Sequence, residues 1–207
     1  SLPFELTTAQ RRCIDEIGAD LATAVPMRRL LHGDVGSGKT LVALCAALRV
    51  IESGYQVAIM APTEILAEQH FHNMRRLAST IGLDDVVLFK GGARAALKRE
   101  LLNGLASGAT RLVVGTHALI EADVEFARLG LAIVDEQHRF GVGQRARLSD
   151  KGAGLDLLIM TATPIPRSLA LTLYGDLEVS VIDELPPGRQ PVRTARRDPD
   201  RRDRIFE

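Results

Sequence analysis

Short aliphatic runs recur along this chain, and each is followed by a longer segment in which apolar residues have helical spacing. The runs are continuous rather than alternating, which is typical of parallel strands buried on both faces. Strands are predicted at residues 29–32, 56–60, 86–89, 111–115, 131–135 and 157–160, and helices at 39–53, 64–81, 94–106 and 166–174. This alternation predicts an α/β domain with three layers and a mainly parallel sheet.

The composition changes near Glu184. Residues 185–189 read Leu-Pro-Pro-Gly-Arg, and two prolines exclude both a helix and a central strand because they fix φ and remove backbone donors. Residues 189–207 then contain seven arginines and four acids. We interpret residues 1–184 as the domain and 185–207 as a linker toward a second lobe.

Length and composition fit this interpretation. The 207 residues suit one α/β domain, and 46% apolar with 25% charged residues is ordinary for a globular protein. The balance of 26 basic and 26 acidic residues excludes a uniformly basic nucleic-acid binder, although a local basic patch stays possible. The first residue is not Met and the last segment has no stop signal, so we interpret the chain as a piece of a longer protein.

Cysteine usage and hydropathy bear on localisation. Cys13 and Cys45 lie in apolar, helix-like contexts without CxxC spacing, and we expect two buried thiols in a reducing cytosol. The amino terminus has no signal-peptide pattern, and the longest apolar run, 41–48, is far too short to span a bilayer. We therefore expect a cytoplasmic protein without membrane contact.

The strongest motif follows the first predicted strand. Residues 33–40 read Gly-Asp-Val-Gly-Ser-Gly-Lys-Thr and a helix follows, which is a P-loop in its required strand–loop–helix context. Glycines let backbone N–H groups converge on phosphates, and the helix amino terminus favours the negative charge. The predicted nucleotide-binding residues are Gly33, Gly36, Ser37, Gly38, Lys39 and Thr40. Lys39 would contact the β- and γ-phosphates of ATP, and Thr40 would bind Mg²⁺.

A second chemical signature ends the strand at 131–135. Asp135 and Glu136 are followed by Gln137 and His138. In P-loop enzymes an acid in this position holds magnesium, and an adjacent Glu can orient or deprotonate the attacking water. Lys39, Asp135, Glu136 and His138 are the candidate catalytic residues, and Thr40 with Asp135 forms the candidate metal site.

Three further strand ends carry small or hydroxyl residues: Thr63 after Ala61-Pro62, Thr116 after Gly115, and Thr161-Ala162-Thr163. Thr63 is a good helix N-cap, a position that also suits a nucleic-acid phosphate. Ligands of open α/β sheets bind at the carboxyl ends of strands, so these ends predict one extended functional face.

Taken together, the motifs resemble those of superfamily-two helicases of the DExH type. Motifs I, Ia, Ib, II and III correspond to residues 33–40, 61–70, 114–119, 135–138 and 161–163. Phe4 and Gln10 resemble the Q-motif region, in which Gln10 would hydrogen-bond adenine and Phe4 would pack near it. The resemblance implies a RecA-like P-loop NTPase domain and an enzyme that hydrolyses ATP with Mg²⁺. It also implies DNA contacts near Thr63 and Thr116.

Longer stretches are similar to the RecG family of bacterial ATP-dependent DNA helicases, which remodel stalled forks and branch-migrate Holliday junctions. They include 135–142 with Arg139, 161–167, and 183–189. The alternative is the equivalent lobe of a translocase like transcription-repair coupling factor, which usually has Glu where Gln137 stands and lacks Leu-Pro-Pro-Gly-Arg.

The RecG resemblance implies branched double-stranded DNA as substrate, a role in recombination and repair, and a monomer. A wedge domain and a second RecA-like lobe carrying the arginine fingers would belong to the full-length chain, so this portion alone should be nearly inactive. We also hypothesise that Arg139 and Arg145 help couple the acidic site to DNA or to the further domains of the full-length chain.

Two other classes of protein are alternatives. A small-molecule P-loop kinase does not explain residues 135–138 followed by 161–163, and it would respond to a small acceptor. A nucleotide-gated binding module without turnover describes how the portion could behave alone. ATPase stimulation by branched DNA would distinguish the helicase from both.

Overall fold

A computed structural model describes residues 5–80, 82–83, 85–92, 95–121, 123–135, 148, 151–152, 154–163 and 177–184. Within them the strands are β1 Arg28–Gly33, β2 Gln56–Met60, β3 Val86–Phe89, β4 Leu112–Gly115, β5 Leu129–Asp135, β6 Asp156–Thr161 and β7 Glu178–Ile182. The helices are α1 Thr8–Asp20, α2 Lys39–Glu52, α3 Glu64–Ser79 and α4 Ala95–Ser107, with a 3₁₀ turn at His117–Ile120.

The seven strands form one sheet in the order β3-β4-β2-β5-β6-β1-β7, and every pair is parallel. All six predicted strands are confirmed, with boundaries displaced by two residues or fewer. Because all strands run the same way, their carboxyl ends meet at one edge of the sheet. The predicted functional residues follow those ends.

The core has two halves, one on each face of the sheet. Val57 and Ile59 pack on the face covered by α1, α2 and α3, whereas Ala58 and Met60 pack on the opposite face with Leu105 of α4. Alternate residues of one strand thus enter different cores, and β2 is buried at all five positions. The predicted three-layer α/β architecture is confirmed.

Besides the 3₁₀ turn at His117–Ile120, two elements were not predicted. β7 is an edge strand with exposed and buried positions interspersed, so it has no continuous apolar run. α1 buries only a narrow stripe, in which Ala9, Cys13 and Ile17 recur every four residues. The sequence nevertheless contains a signal for the start of α1, because Thr7 and Gln10 form a capping box.

A polar network fastens α1 to the sheet. Arg29 on β1 is 7% exposed, and its guanidinium contacts Asp20 at 2.7 Å and Ser180 at 2.9 Å. At the other end of the helix, the Ala9 N–H donates to Glu184 Oε2 at 3.2 Å. These contacts fix α1 beside β1 and β7, and with them the position of Gln10.

The thiols differ from the expectation in part. Cys13 is fully buried and Cys45 only half-buried, and burial raises the pKa of both. None of the helices in the described ranges is long and apolar enough to cross a membrane. The predicted helix 166–174 and the predicted linker 185–207 lie outside the described residues.

Candidate nucleotide site

The loop between β1 and α2 has a conformation that depends on its glycines. Gly36 and Gly38 have φ values of 78° and 95°, in the region of φ that residues other than glycine rarely adopt. Gly33 is also constrained, because a Cβ there would lie 2.6 Å from Ser37 Oγ. The Ser37 N–H donates to Asp34 O at 3.0 Å and closes the turn. This turn brings Lys39 and Thr40 to the start of α2.

Lys39 and Ser37 differ in their hydrogen bonding within this loop. The Lys39 Nζ donates to the carbonyl oxygens of Gly33 at 2.6 Å and Asp34 at 3.0 Å. The Ser37 Oγ is buried and has no hydrogen-bond partner among the described residues. A buried hydroxyl of this kind inside a P-loop is consistent with a loop shaped around an oxygen-rich ligand.

Gln10 braces the loop from α1. Its side chain is 3% exposed; the Oε1 accepts from Thr7 N at 3.1 Å, and the Nε2 donates to Ser37 O at 2.8 Å. The residue predicted to contact adenine therefore also joins α1 to the P-loop. Adenine contact itself stays a prediction, and Phe4 lies outside the described residues.

Asp135 ends β5 near the sheet centre and faces α3. Its Oδ2 lies 2.6 Å from Nε2 of His70, and the two side chains are only 14% and 11% exposed. Sequence reasoning did not single out His70. The signal was present, because His70 falls at helical spacing among the buried residues Ala67, Met74 and Ala78.

One cavity of about 510 Å³ joins the P-loop, α3 and the end of β5. Its walls include the predicted phosphate-binding, metal-binding and DNA-binding side chains that follow β1, β2 and β5. The lining residues are Val35, Gly36, Lys39, Thr40, Pro62, Thr63, Leu66, Gln69, His70, Asn73, Asp135 and Ala162. Folding thus gathers residues that are remote in sequence around one concave surface.

The other predicted strand ends differ from one another. Thr63 is exposed and caps α3 by accepting from Leu66 N at 3.3 Å. Thr116 is 6% exposed, and its hydroxyl accepts from Ala118 N at 3.4 Å, so the neighbouring exposed His117 is better placed to reach an outside partner. Thr161 is buried and shares a 2.9 Å hydroxyl contact with Thr163.

The donor set fits magnesium better than zinc. The Thr40 hydroxyl and the Asp135 carboxylate line the same cavity, and such hard oxygen donors, completed by phosphates and water, are what Mg²⁺ prefers. In the described ranges there is no cluster of three or more His, Cys, Asp or Glu side chains that could hold a metal. A nucleotide-borne magnesium ion needs no such cluster.

Several predicted residues have no structural description. Glu136, His138 and Arg139, together with Arg145, lie outside the described residues. Their predicted roles in water activation and in coupling to DNA stay predictions.

Comparison with known proteins identifies close relatives. Residues 7–172 match the DEAD/DEAH box helicase family. The chain is 58% identical over 193 residues to an ATP-dependent DNA helicase RecG from Acidithiobacillus ferridurans, covering 93% of this chain and 28% of the relative. It is 55% identical over 194 residues to RecG from Streptococcus pneumoniae, covering 94% and 28%.

A solved structure of RecG bound to a three-way DNA junction is 46% identical and superimposes with a TM-score of 0.86, covering 99% of this chain and 27% of that one. These comparisons confirm the resemblance inferred from the motifs. The chain spans less than a third of the length of each of these relatives.

Proposed function

Because this chain belongs to the DEAD/DEAH box helicase family, we propose that it is the ATP-binding lobe of a RecG-like DNA helicase that remodels branched DNA. The observation that carries the proposal is the convergence of Lys39, Thr40 and Asp135 on one cavity from β1 and β5. A phosphate-binding loop, a hydroxyl and a carboxylate in this arrangement are the parts a P-loop ATPase needs.

In this proposal each residue has a role in ATP hydrolysis. Lys39 and the loop N–H groups bind the phosphates, and Thr40 and Asp135 hold the magnesium ion, which supplies charge stabilisation when bound. Glu136 orients or deprotonates the attacking water, and His138 is a further candidate catalytic residue two positions later in the sequence. Gln10, with Phe4 nearby, recognises adenine.

The DNA contacts are proposed for the loops after β2 and β4. The exposed amino terminus of α3 at Thr63 suits a phosphate, and Thr116 with its exposed neighbour His117 lies after β4. Arg139 would add positive charge. Contacts of this kind favour affinity without sequence preference, in line with a substrate defined by its branched shape.

The chain would act with further domains. We infer that residues 1–184 form one lobe, that 185–207 lead to a second RecA-like lobe supplying the arginine fingers, and that a wedge domain engages the junction. The chain covers only 28% of the length of each of the two RecG relatives, which supports this arrangement. The full-length chain would work as a cytoplasmic monomer.

The relatives favour this function over the coupling-factor alternative, because both the proteins and the solved structure reported above are RecG. The Leu-Pro-Pro-Gly-Arg segment at 185–189 supports the same choice. A P-loop kinase would require an acceptor-substrate site, and it would leave residues 135–138 followed by 161–163 unexplained.

The first test measures nucleotide binding. Lys39→Ala should weaken binding of a fluorescent ATP analogue at least about tenfold, since it removes the charge facing the phosphates. Lys98→Ala is the matched control, because Lys98 forms an exposed ion pair with Asp123 away from the cavity. Equal affinity of Lys39→Ala and Lys98→Ala would refute the nucleotide site.

The second test measures ATP hydrolysis by the full-length chain. A three-way junction should stimulate hydrolysis more than linear duplex, and stimulation should fall steeply with salt. Stimulation by linear duplex alone would favour a general translocase, and a response to a small acceptor would favour a kinase.

A further inference from the structure

The buried face of α3 carries one ionisable side chain. Ala67, Met74 and Ala78 on this face are at most 1% exposed, and His70 lies between them at 9%. A buried imidazole forfeits hydration, so it is retained where a specific partner compensates. Here the partner is Asp135, the carboxylate proposed for magnesium.

The hydrogen bond defines which atoms are used. An ionised carboxylate only accepts, so His70 Nε2 carries the hydrogen directed at Asp135 Oδ2, 2.6 Å away. The other nitrogen, Nδ1, is buried and has no partner among the described residues. The hydrogen bond that one ring nitrogen makes determines where the ring carries hydrogen, so the contact with Asp135 places it on Nε2.

This contact leaves the second carboxylate oxygen available. With Oδ2 held by His70, the rotation of the Asp135 carboxylate is restricted, and no described residue donates to Oδ1, which can therefore face the magnesium shell. Partners behind a metal ligand orient it, and losing one typically lowers metal affinity or activity by about 10–100-fold. We propose that His70 is a positioning residue that orients Asp135 for the magnesium–nucleotide complex, an inference that rests on the function proposed above.

The test compares variants of His70 in nucleotide binding with and without magnesium. In His70→Gln the side-chain amide nitrogen can reach Asp135, whereas in His70→Leu no donor remains. His70→Asn also has a side-chain amide, but its nitrogen lies near the position of the His70 Nδ1. The asparagine side chain is therefore too short to reach Asp135. Met74→Ala, on the same buried face, is the control for lost packing.

Affinity for a fluorescent ATP analogue should separate the variants. In Mg²⁺, His70→Leu and His70→Asn should bind about tenfold more weakly than the unaltered chain, and His70→Gln should keep most of the affinity. In EDTA all should bind alike. The Mg²⁺ concentration for half-maximal nucleotide binding should rise only in His70→Leu and His70→Asn. Met74→Ala should lower the urea midpoint of unfolding but leave that Mg²⁺ concentration unchanged.

Three results would overturn the inference: equal weakening with and without Mg²⁺, a His70→Gln variant as weak as His70→Leu, or no change in any variant. Should His70→Leu fail to fold, the pair His70→Asn and His70→Gln decides. If the unaltered chain shows no Mg²⁺-dependent affinity, the proposed function itself fails. If the unaltered chain binds the nucleotide more tightly with Mg²⁺ and the His70 variants do so equally well, only the proposed role of His70 fails.

Discussion

Replacing Gly38 with alanine tests how α1 supports the phosphate loop. Gly38 has a φ of 95°, and a Cβ there would lie 2.3 Å from Nε2 of Gln10. The backbone term costs about 1–2 kcal/mol for a residue with a side chain. The steric clash adds a second cost, because Gln10 must move away and lose its hydrogen bond to Ser37 O. Leaving such a buried group unpaired costs about 1–3 kcal/mol.

Gly38→Ala should therefore lower the free energy of unfolding by about 2–5 kcal/mol. Gly54→Ala is the matched control, because Gly54 has a similar φ of 82° and its nearest atom, on Arg128, is 3.9 Å from the Cβ position. It should show the backbone term alone. The entropy that alanine removes from the unfolded chain is common to both variants.

Urea denaturation of single and double variants provides the assay. In a Gln10→Ala background the steric term vanishes, so Gly38→Ala should cost no more than Gly54→Ala. Nucleotide affinity should follow the same order, since the loop conformation is what changes. The reasoning is refuted if Gly38→Ala and Gly54→Ala cost the same in the unaltered chain, or if Gln10→Ala leaves the cost of Gly38→Ala unchanged.

Three further predictions concern other buried polar groups. Arg29→Met should destabilise the fold by about 2 kcal/mol in urea, below the value for a fully buried pair because Asp20 is 27% exposed. Gln56→Leu should cost about 2–4 kcal/mol, since the buried amide serves three backbone groups at 2.8–2.9 Å. Burial raises the pKa of Cys13 from 9.0 to about 11, so the folded state holds the thiol proton more tightly. Stability from this thiol should be full below pH 9 and decline from pH 9 to 11, a decline absent in Cys13→Ala.

Each of these predictions has a control or a contrary result. Lys98→Met, which breaks an exposed ion pair, should change stability by less than about 1 kcal/mol, and an equal loss for Arg29→Met would contradict the buried network. A cost for Gln56→Leu below about 0.5 kcal/mol would mean that water replaces the amide. An alkaline stability profile shared by Cys13→Ala and the unaltered chain would assign the decline to other groups.

Much of the fold was predictable because its strands are buried on both faces. β2 and β5 carry continuous aliphatic runs whose ends are marked by polar residues, so their position and direction were clear. β7 was missed because an edge strand buries only part of its residues. α1 was missed because its apolar stripe is narrow, although Thr7 and Gln10 marked its start.

The candidate site was predictable only where chemistry is local. The P-loop is contiguous, so its glycines, Lys39 and Thr40 could be assigned from spacing alone. Asp135 could be assigned because it ends a strand. His70 could not be paired with Asp135, since that contact joins a helix after β2 to the end of β5.

The sequence by itself determined the layer architecture, the phosphate loop and the family resemblance, because hydrophobic period and motif spacing are properties of neighbouring residues. The tertiary structure decided how distant groups share partners. It directs Gln10 to Ser37 O, Glu184 to the start of α1, and His70 to Asp135. The physical reason is that parallel strands bring their ends to one edge, while the order β3-β4-β2-β5-β6-β1-β7 determines which ends become neighbours.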